Sequence, residues 1–229
     1  MDVFRDISPH LHAAISPRAR RLALRLNTRK RCVNLVIPRR VSLKMAYQFA
    51  FEHRAWIEEK MQTLPDTIPF VHGMTLSILG RDVVLNIERD DKYKLTKIEL
   101  TETSLNVKTK LDDISPRLTR FLKTVAHDEF LKLANEKAAR IGREVIKLSI
   151  KDMHTRWGSC STDGTMVLSW RLIFAPPIAF DYVVAHEVAH LKHANHGDRF
   201  WKLCEDLSHD FHGGHAWMKD HGNVLLRYK

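Results

Sequence analysis

The apolar positions change period along the chain. Over residues 20–26, apolar and basic residues alternate, which puts Leu22, Leu24 and Leu26 on one face and predicts a half-buried strand. Residues 32–37 form a second apolar run. The polar stretch Asn27-Thr28-Arg29-Lys30-Arg31 between the two predicts a basic hairpin. Ser42 then precedes a segment in which Met45, Phe49, Trp56 and Ile57 keep a helical spacing to about residue 61. Its hydroxyl is expected to cap that helix, which Pro65 and Pro69 close. Residues 73–79 and 81–88 flank Gly80 and predict another hairpin, followed by short strands near 97–100 and 104–107.

The pattern turns helical after that. Ser115-Pro116 predicts an N-cap with proline at the first helical position, and the helix runs to residue 141 with Gly142 as its C-terminal cap. Residues 145–150 predict a strand. Arg156-Trp157-Gly158-Ser159-Cys160-Ser161, a Thr162-Asp163-Gly164-Thr165 turn and an apolar strand over 166–170 follow, and Pro176-Pro177 opens the next helix. The expected division is a β-rich basic region over 1–112 and a second region over 113–229, giving an α+β chain.

Composition bounds the class. With 44% hydrophobic and 28% charged residues the chain reads as globular, and no apolar run is long enough for a membrane helix. The first residues, Met1-Asp2-Val3-Phe4-Arg5-Asp6, lack the apolar segment of a secretory signal. Cys32, Cys160 and Cys204 are odd in number and widely spaced, so no disulfide framework is expected and a cytoplasmic setting fits. The net charge of +10 is uneven: residues 18–44 hold ten Lys and Arg and no acid. Arg18, Arg20, Arg21, Arg25, Arg29, Lys30 and Arg31 form a candidate nucleic-acid contact, because a local positive potential draws phosphate whatever its sequence. Solvated strand faces produce the same pattern.

The histidines change the picture. Six of the fourteen fall between His186 and His212. His186 and His190 are four residues apart, which on a helix places both imidazoles on one face about 6 Å apart along the axis. Two neutral imidazoles can share a zinc ion, and Glu187 is placed to reach water at that ion, as a general base requires. Tyr182, Val183, Val184, Val188, Ala189 and Leu191 make the segment apolar, so its polar residues need compensation. A catalytic zinc takes a third protein ligand. His193 lies on the same helical face, about 10 Å from His186, which is a line rather than a tetrahedral corner. His196 is preferred, because a helix ending near Asn195 lets the chain fold back. The spacing matches metzincins, but His193 stands where they carry glycine. Zinc suits the ligand type, and cobalt, nickel or manganese also accept histidine.

Taken together, Arg156 to Ser161, Leu168-Ser169-Trp170-Arg171-Leu172, Ala175-Pro176, Asp181-Tyr182-Val183-Val184, the His186–His190 motif, Asn195-His196 and Phe200-Trp201 resemble the YgjP-like metallopeptidase family, related to SprT-like and WLM peptidases. Arg20-Arg21-Leu22-Ala23-Leu24-Arg25 and Trp56-Ile57 extend the resemblance into the first half. It implies a zincin-like minimal metallopeptidase core acting on peptides or proteins, with His186, His190 and His196 as zinc ligands and Glu187 as catalytic base. The family often carries asparagine where Ser169 stands, a departure away from the metal site.

Arg156 is a candidate for binding a substrate carbonyl or the oxyanion, while Trp157 and Gly158 read as packing positions and Cys160 as a small core residue. Phe200 and Trp201 are expected to pack, and His209, His212, His215 and His221 to form a solvated tail. The competing function is a basic nucleic-acid-binding protein or nuclease with a structural or repurposed metal site.

Overall fold

The computed structural model describes residues 2–27, 30–64 and 66–228. The chain divides into two compact units, residues 1–66 and 67–229. Among the described residues no helix is long and apolar enough to cross a membrane.

The first unit contains strands β1 (Leu11–Ser16), β2 (Ala23–Asn27) and β3 (Cys32–Pro38), in the order β1-β3-β2. β3 lies in the centre, parallel to β1 and antiparallel to β2. It is accordingly the most apolar strand, with Val33, Leu35 and Ile37 fully buried. The turn positions Thr28 and Arg29, and Pro65 after the helical segment, lie outside the described residues. Ser42 accepts the Met45 N–H at 3.3 Å and caps α1 (Leu43–Glu52). The expected single helix is two, because His53 leaves helical geometry (φ −100°, ψ 11°) before α2 (Arg54–Gln62). Ala46, Ala50, Ile57 and Met61 close this unit's core.

The second unit begins with β4 (Thr75–Ile78), β5 (Arg81–Arg89), β6 (Lys97–Leu100) and β7 (Ser104–Thr109), in the order β4-β5-β7-β6. The β4–β5 turn takes positive φ at Leu79 and Gly80, and any side chain at Gly80 would strike Pro177. Asp113 Oδ1 accepts the Ser115 N–H (2.9 Å), so the acid two residues earlier performs the capping expected of Ser115 at the start of α3 (Ser115–Ala139). α3 ends at Ala139, two residues before the expected Ile141, and left-handed Gly142 then turns the chain, with the Arg143 N–H bonded back to the Ala138 carbonyl. Leu118, Leu122, Ala126, Phe130, Ala134 and Ala138 recur every four residues and are all buried. That stripe joins the inner residues of β4–β7 in one core with the later helices. Residues 67–112, grouped by composition with the basic amino-terminal stretch, therefore share their interior with residues 113–229.

A second small sheet follows, made of β8 (Lys147–Lys151), β9 (Gly158–Cys160) and β10 (Thr165–Ser169) in the order β8-β10-β9, with β9 on its edge. Three helices complete the chain: α4 (Pro177–Ala189), α5 (Asp198–Leu207) and α6 (Phe211–His221). The α4 helix is buried nearly all round and packs with α3, α5, α6 and β9.

Candidate metal centre and catalytic cleft

The α4 helix ends where its second histidine begins to turn. His190 is its C-terminal cap, and the Lys192 and His193 N–H groups both bond back to the Ala189 carbonyl. The chain reverses over residues 191–197 and re-enters a helix at Asp198. This return sets His196 against the end of α4. Phe200, on the first turn of α5, lies under all three imidazoles, with ring centroids 4.9 Å from His186, 4.6 Å from His190 and 4.6 Å from His196. Trp201 stacks on His196 at 5.5 Å. The two aromatics expected only to pack are the platform of the histidine cluster.

His186, His190 and His196 each offer a ring nitrogen, all lying within 4.8 Å of one another. Among the described residues they are the one group of three such side chains close enough to share an ion. The Nε2 atoms of His186 and His196 are 3.1 Å apart. His190 donates Nδ1–H to the His193 carbonyl at 3.0 Å; a carbonyl can only accept, so the proton sits on Nδ1 and leaves the Nε2 lone pair free. His193, weighed as a ligand on spacing, thus contributes through its backbone. Burial, then the neighbouring His190, His196 and His215, pull the His186 pKa down to about 4, so its ring is neutral near pH 7. Its buried Nδ1 has no hydrogen-bond partner among the described residues.

Glu187 packs against β9 and lines the same cleft as His186. Its carboxylate lies against Gly158 on β9, where an added Cβ would come within 2.5 Å of Oε1 and 2.7 Å of Cδ. The glycine is therefore required by space rather than by backbone freedom. Glu187 is 5% exposed, and burial pushes its pKa up to about 8 against the pull of Arg156. A cation beside it acts in the same direction as Arg156. Cys160 and Cys204 are pushed up to about 12, chiefly by burial, which makes them inert thiols.

A cleft of about 330 Å³ opens beside His186 and Glu187. Arg156, Trp157 and Gly158 line it from the β9 side, Tyr182 and Val183 from α4, and His215, Met218 and Lys219 from α6.

The sequence pattern of the YgjP-like metallopeptidase domain family matches residues 20–221. The chain belongs to that family. No curated protein and no solved structure matches it. A YgjP-like domain is a metallopeptidase, which makes peptides or proteins its substrates and a metal its cofactor.

The residues present fit such an ion. Zinc–nitrogen distances of about 2.0–2.1 Å put two ligands of a tetrahedral ion roughly 3.3 Å apart. The 3.1 Å separation of two Nε2 atoms is close to that edge. At that distance two neutral imidazoles either share one uncharged Nε2–H···Nε2 hydrogen bond or turn both lone pairs on one cation, and the Nε2 lone pair that His190 keeps free beside them suits the cation.

Of the remaining predicted residues of this metallopeptidase, Arg156 is exposed at the cleft rim and Trp157 packs beside Gly222. Ser169 is buried, with its Oγ unpartnered among the described residues, and its N–H donates to the Trp157 carbonyl at 2.8 Å. The four histidines of the expected solvated tail are all exposed; His215 in addition lines the cleft, and the His209 backbone N–H donates to Asp181 at 2.7 Å. Tyr182, expected only as part of an apolar segment, also lines the cleft, as do Met218 and Lys219, for which the sequence carried no expectation. Phe211, His215, Met218 and Lys219 keep a helical spacing, so one face was visible in the sequence. What it faces was set by Gly214, where any side chain would strike the Ile178 carbonyl and Tyr182.

The basic residues of the first unit do not form one patch. Arg18 and Arg20, together with Arg39 and Arg40, line a cleft of about 940 Å³. The sheet brings them there: Ser16 pairs with Pro38 and Ala23 with Val36, so both arginine-bearing turns leave the same sheet end. Arg21 and Lys30 are exposed, Arg25 stands on β2 opposite Asn34, Arg31 lies 3.6 Å from Asp66, and Arg29 is outside the described residues.

Proposed function

We propose that the chain is a zinc-dependent, HExxH-type peptidase with a zincin-like core, in which His186, His190 and His196 hold the ion and Glu187 is the general base. The observation that carries this reading is the convergence of three imidazole nitrogens within 4.8 Å, one of them from His186, which lines a cleft together with the buried carboxylate of Glu187. When bound, zinc supplies Lewis acidity toward a carbonyl oxygen and toward water. Glu187 accepts the proton of the attacking water at a carboxylate oxygen and returns it to the departing amine. Gly158 leaves room for that carboxylate, and the His193 carbonyl holds His190 in the Nδ1–H tautomer. Arg156, exposed and aimed at the cleft, is positioned to bind a substrate carbonyl.

Elemental analysis of the wild type and His196→Ala, paired with a proteolysis assay, tests the assignment. The wild type is expected to hold one zinc per chain and to lose proteolysis on chelation. His196→Ala is expected to bind zinc at least 10-fold more weakly, since losing a ligand costs no less than the 10–100-fold of losing an outer-shell partner. Wild-type zinc content in His196→Ala would remove His196 from the ligand set.

The four-arginine cleft supports a second reading, in which the first unit binds nucleic acid. Arg18, Arg20, Arg39 and Arg40 have no ion pair among the described residues, and no acid lines the cleft. Affinity for a DNA or RNA oligomer is then expected to fall steeply with salt, and the slope of log K against log salt to shrink by about 1 for each arginine replaced by alanine. A slope unchanged by Arg39→Ala and Arg40→Ala would remove this cleft as the contact.

A further inference from the structure

We infer that the cleft beside Glu187 is a substrate subsite that selects a carboxylate, read by Lys219 and Arg156. The inference rests on the peptidase reading above, because it assigns the part of the substrate that flanks the scissile bond.

At about 330 Å³ the cleft is at the small end of ligand sites and takes roughly one side chain. Trp157, Val183 and Met218 give it apolar walls, which suit a methylene stem. Its charges come from two elements: Arg156 precedes β9, and Lys219 stands on α6. Both are exposed, and neither forms an ion pair among the described residues. The one acid in the lining is Glu187, which is buried against Gly158 and feels the pull of Arg156 with no ion pair between them among the described residues. His215, the third basic residue, sits near His186, and Lys219 is one helical turn beyond it, about 6 Å farther along the axis. A group bound at the Lys219 end thus lies one side-chain length from the reacting centre.

Lys219 has no ion pair among the described residues and Arg156 feels only the buried Glu187, so the cleft rim keeps an excess of positive charge that attracts an anion. On a peptide substrate the anion available is a carboxylate. It can come from an Asp or Glu side chain or from the free carboxyl terminus.

The test uses the zinc-loaded full chain and a set of otherwise identical peptides with amidated ends, carrying Glu, Gln or Lys on both sides of one central bond. A further Gln peptide ends in a free carboxylate two residues past that bond. In the wild type, kcat/KM for a carboxylate-bearing peptide is expected to exceed that of the neutral amide by on the order of 10-fold, the yield of one charge-assisted hydrogen bond. A preference for Glu assigns the side chain, and one confined to the free-acid peptide assigns the terminus. Lys219→Gln is expected to erase the preference and Lys219→Glu to turn it toward Lys.

Equal kcat/KM across the set, or a Lys219→Glu variant that changes all peptides alike, overturns the subsite. Should no peptide be cleaved, the peptidase reading fails by itself. Fluorescence anisotropy of the labelled peptides on the Glu187→Gln protein then decides the subsite: tighter binding of the carboxylate forms sustains it, and equal binding overturns it.

Discussion

Glu187→Gln is expected to lower peptide hydrolysis by about 10³-fold while zinc content stays at the wild-type level, a positioned general base being worth roughly 10²–10⁴ in rate. The substitution is close to isosteric, so the contact with Gly158 and the packing of α4 survive it. The carboxamide cannot take a proton, which removes the one function assigned to the carboxylate. Glu187 is not one of the three side chains whose ring nitrogens cluster, so the proposed ligand set is expected to survive the substitution. Elemental analysis and kcat measured on one preparation separate the two effects. A zinc-loaded variant hydrolysing at the wild-type rate would end the assignment of Glu187 as base.

Gly158→Ala should imitate that loss without touching the carboxylate's chemistry. A methyl group 2.5 Å from Oε1 must push the side chain back by about 1 Å to reach ordinary contact, and an error of that size can cost on the order of 10²-fold. The two variants differ in what survives: Gly158→Ala keeps a titratable base in the wrong place, whereas Glu187→Gln keeps the geometry without the base.

The parts of this architecture that could be read from sequence are those governed by neighbours along the chain. The Ser42 cap, the Gly142 stop and the helix opened by Pro177 depend on local backbone chemistry, and each is where its signal put it. The histidine cluster was legible for a related reason. His186 and His190 share a face by helical period alone, and only the return of His196 needed a guess about the chain between. The cleft was not legible, because its lining comes from β9, α4 and α6, and nothing in the local pattern states which helix faces tolerate close approach. Gly158 illustrates the limit: it reads as a packing glycine, and its neighbour proves to be the side chain of Glu187. The break at His53 is a subtler case, since apolar spacing continues across it while the backbone does not. Residues 67–112 look like a continuation of the β-rich first region, yet β4–β7 bury their inner faces in the core that α3 and α4 share.

Lys137→Met is expected to lower unfolding stability by about 3–5 kcal/mol, the cost of leaving one partner of a buried ion pair uncompensated. Lys137 and Asp181 are 5% and 9% exposed and lie 2.6 Å apart, one on α3 and the other on α4. Each has further duties at the same point: Lys137 donates to the Leu207 carbonyl at 2.7 Å, and Asp181 accepts the His209 N–H at 2.7 Å. The cluster ties the end of α5 and the start of the α5–α6 turn to the helix that carries His186. Methionine fills the volume but strands the aspartate, and among the side chains of the described residues it leaves the Leu207 carbonyl with only Arg140 at 3.3 Å. Replacing Asp181 by leucine as well removes the stranded charge, so the double variant should regain most of the loss despite the freed His209 N–H. Urea unfolding of the metal-free protein gives the comparison without a contribution from zinc binding. A loss below about 1 kcal/mol in Lys137→Met would place the pair among weakly coupled surface ions. It would also leave the rigidity of α4 to its apolar packing alone. If the single variant is destabilised as expected while its zinc stoichiometry is unchanged, the buried pair acts on the scaffold, and the three histidines meet without its help.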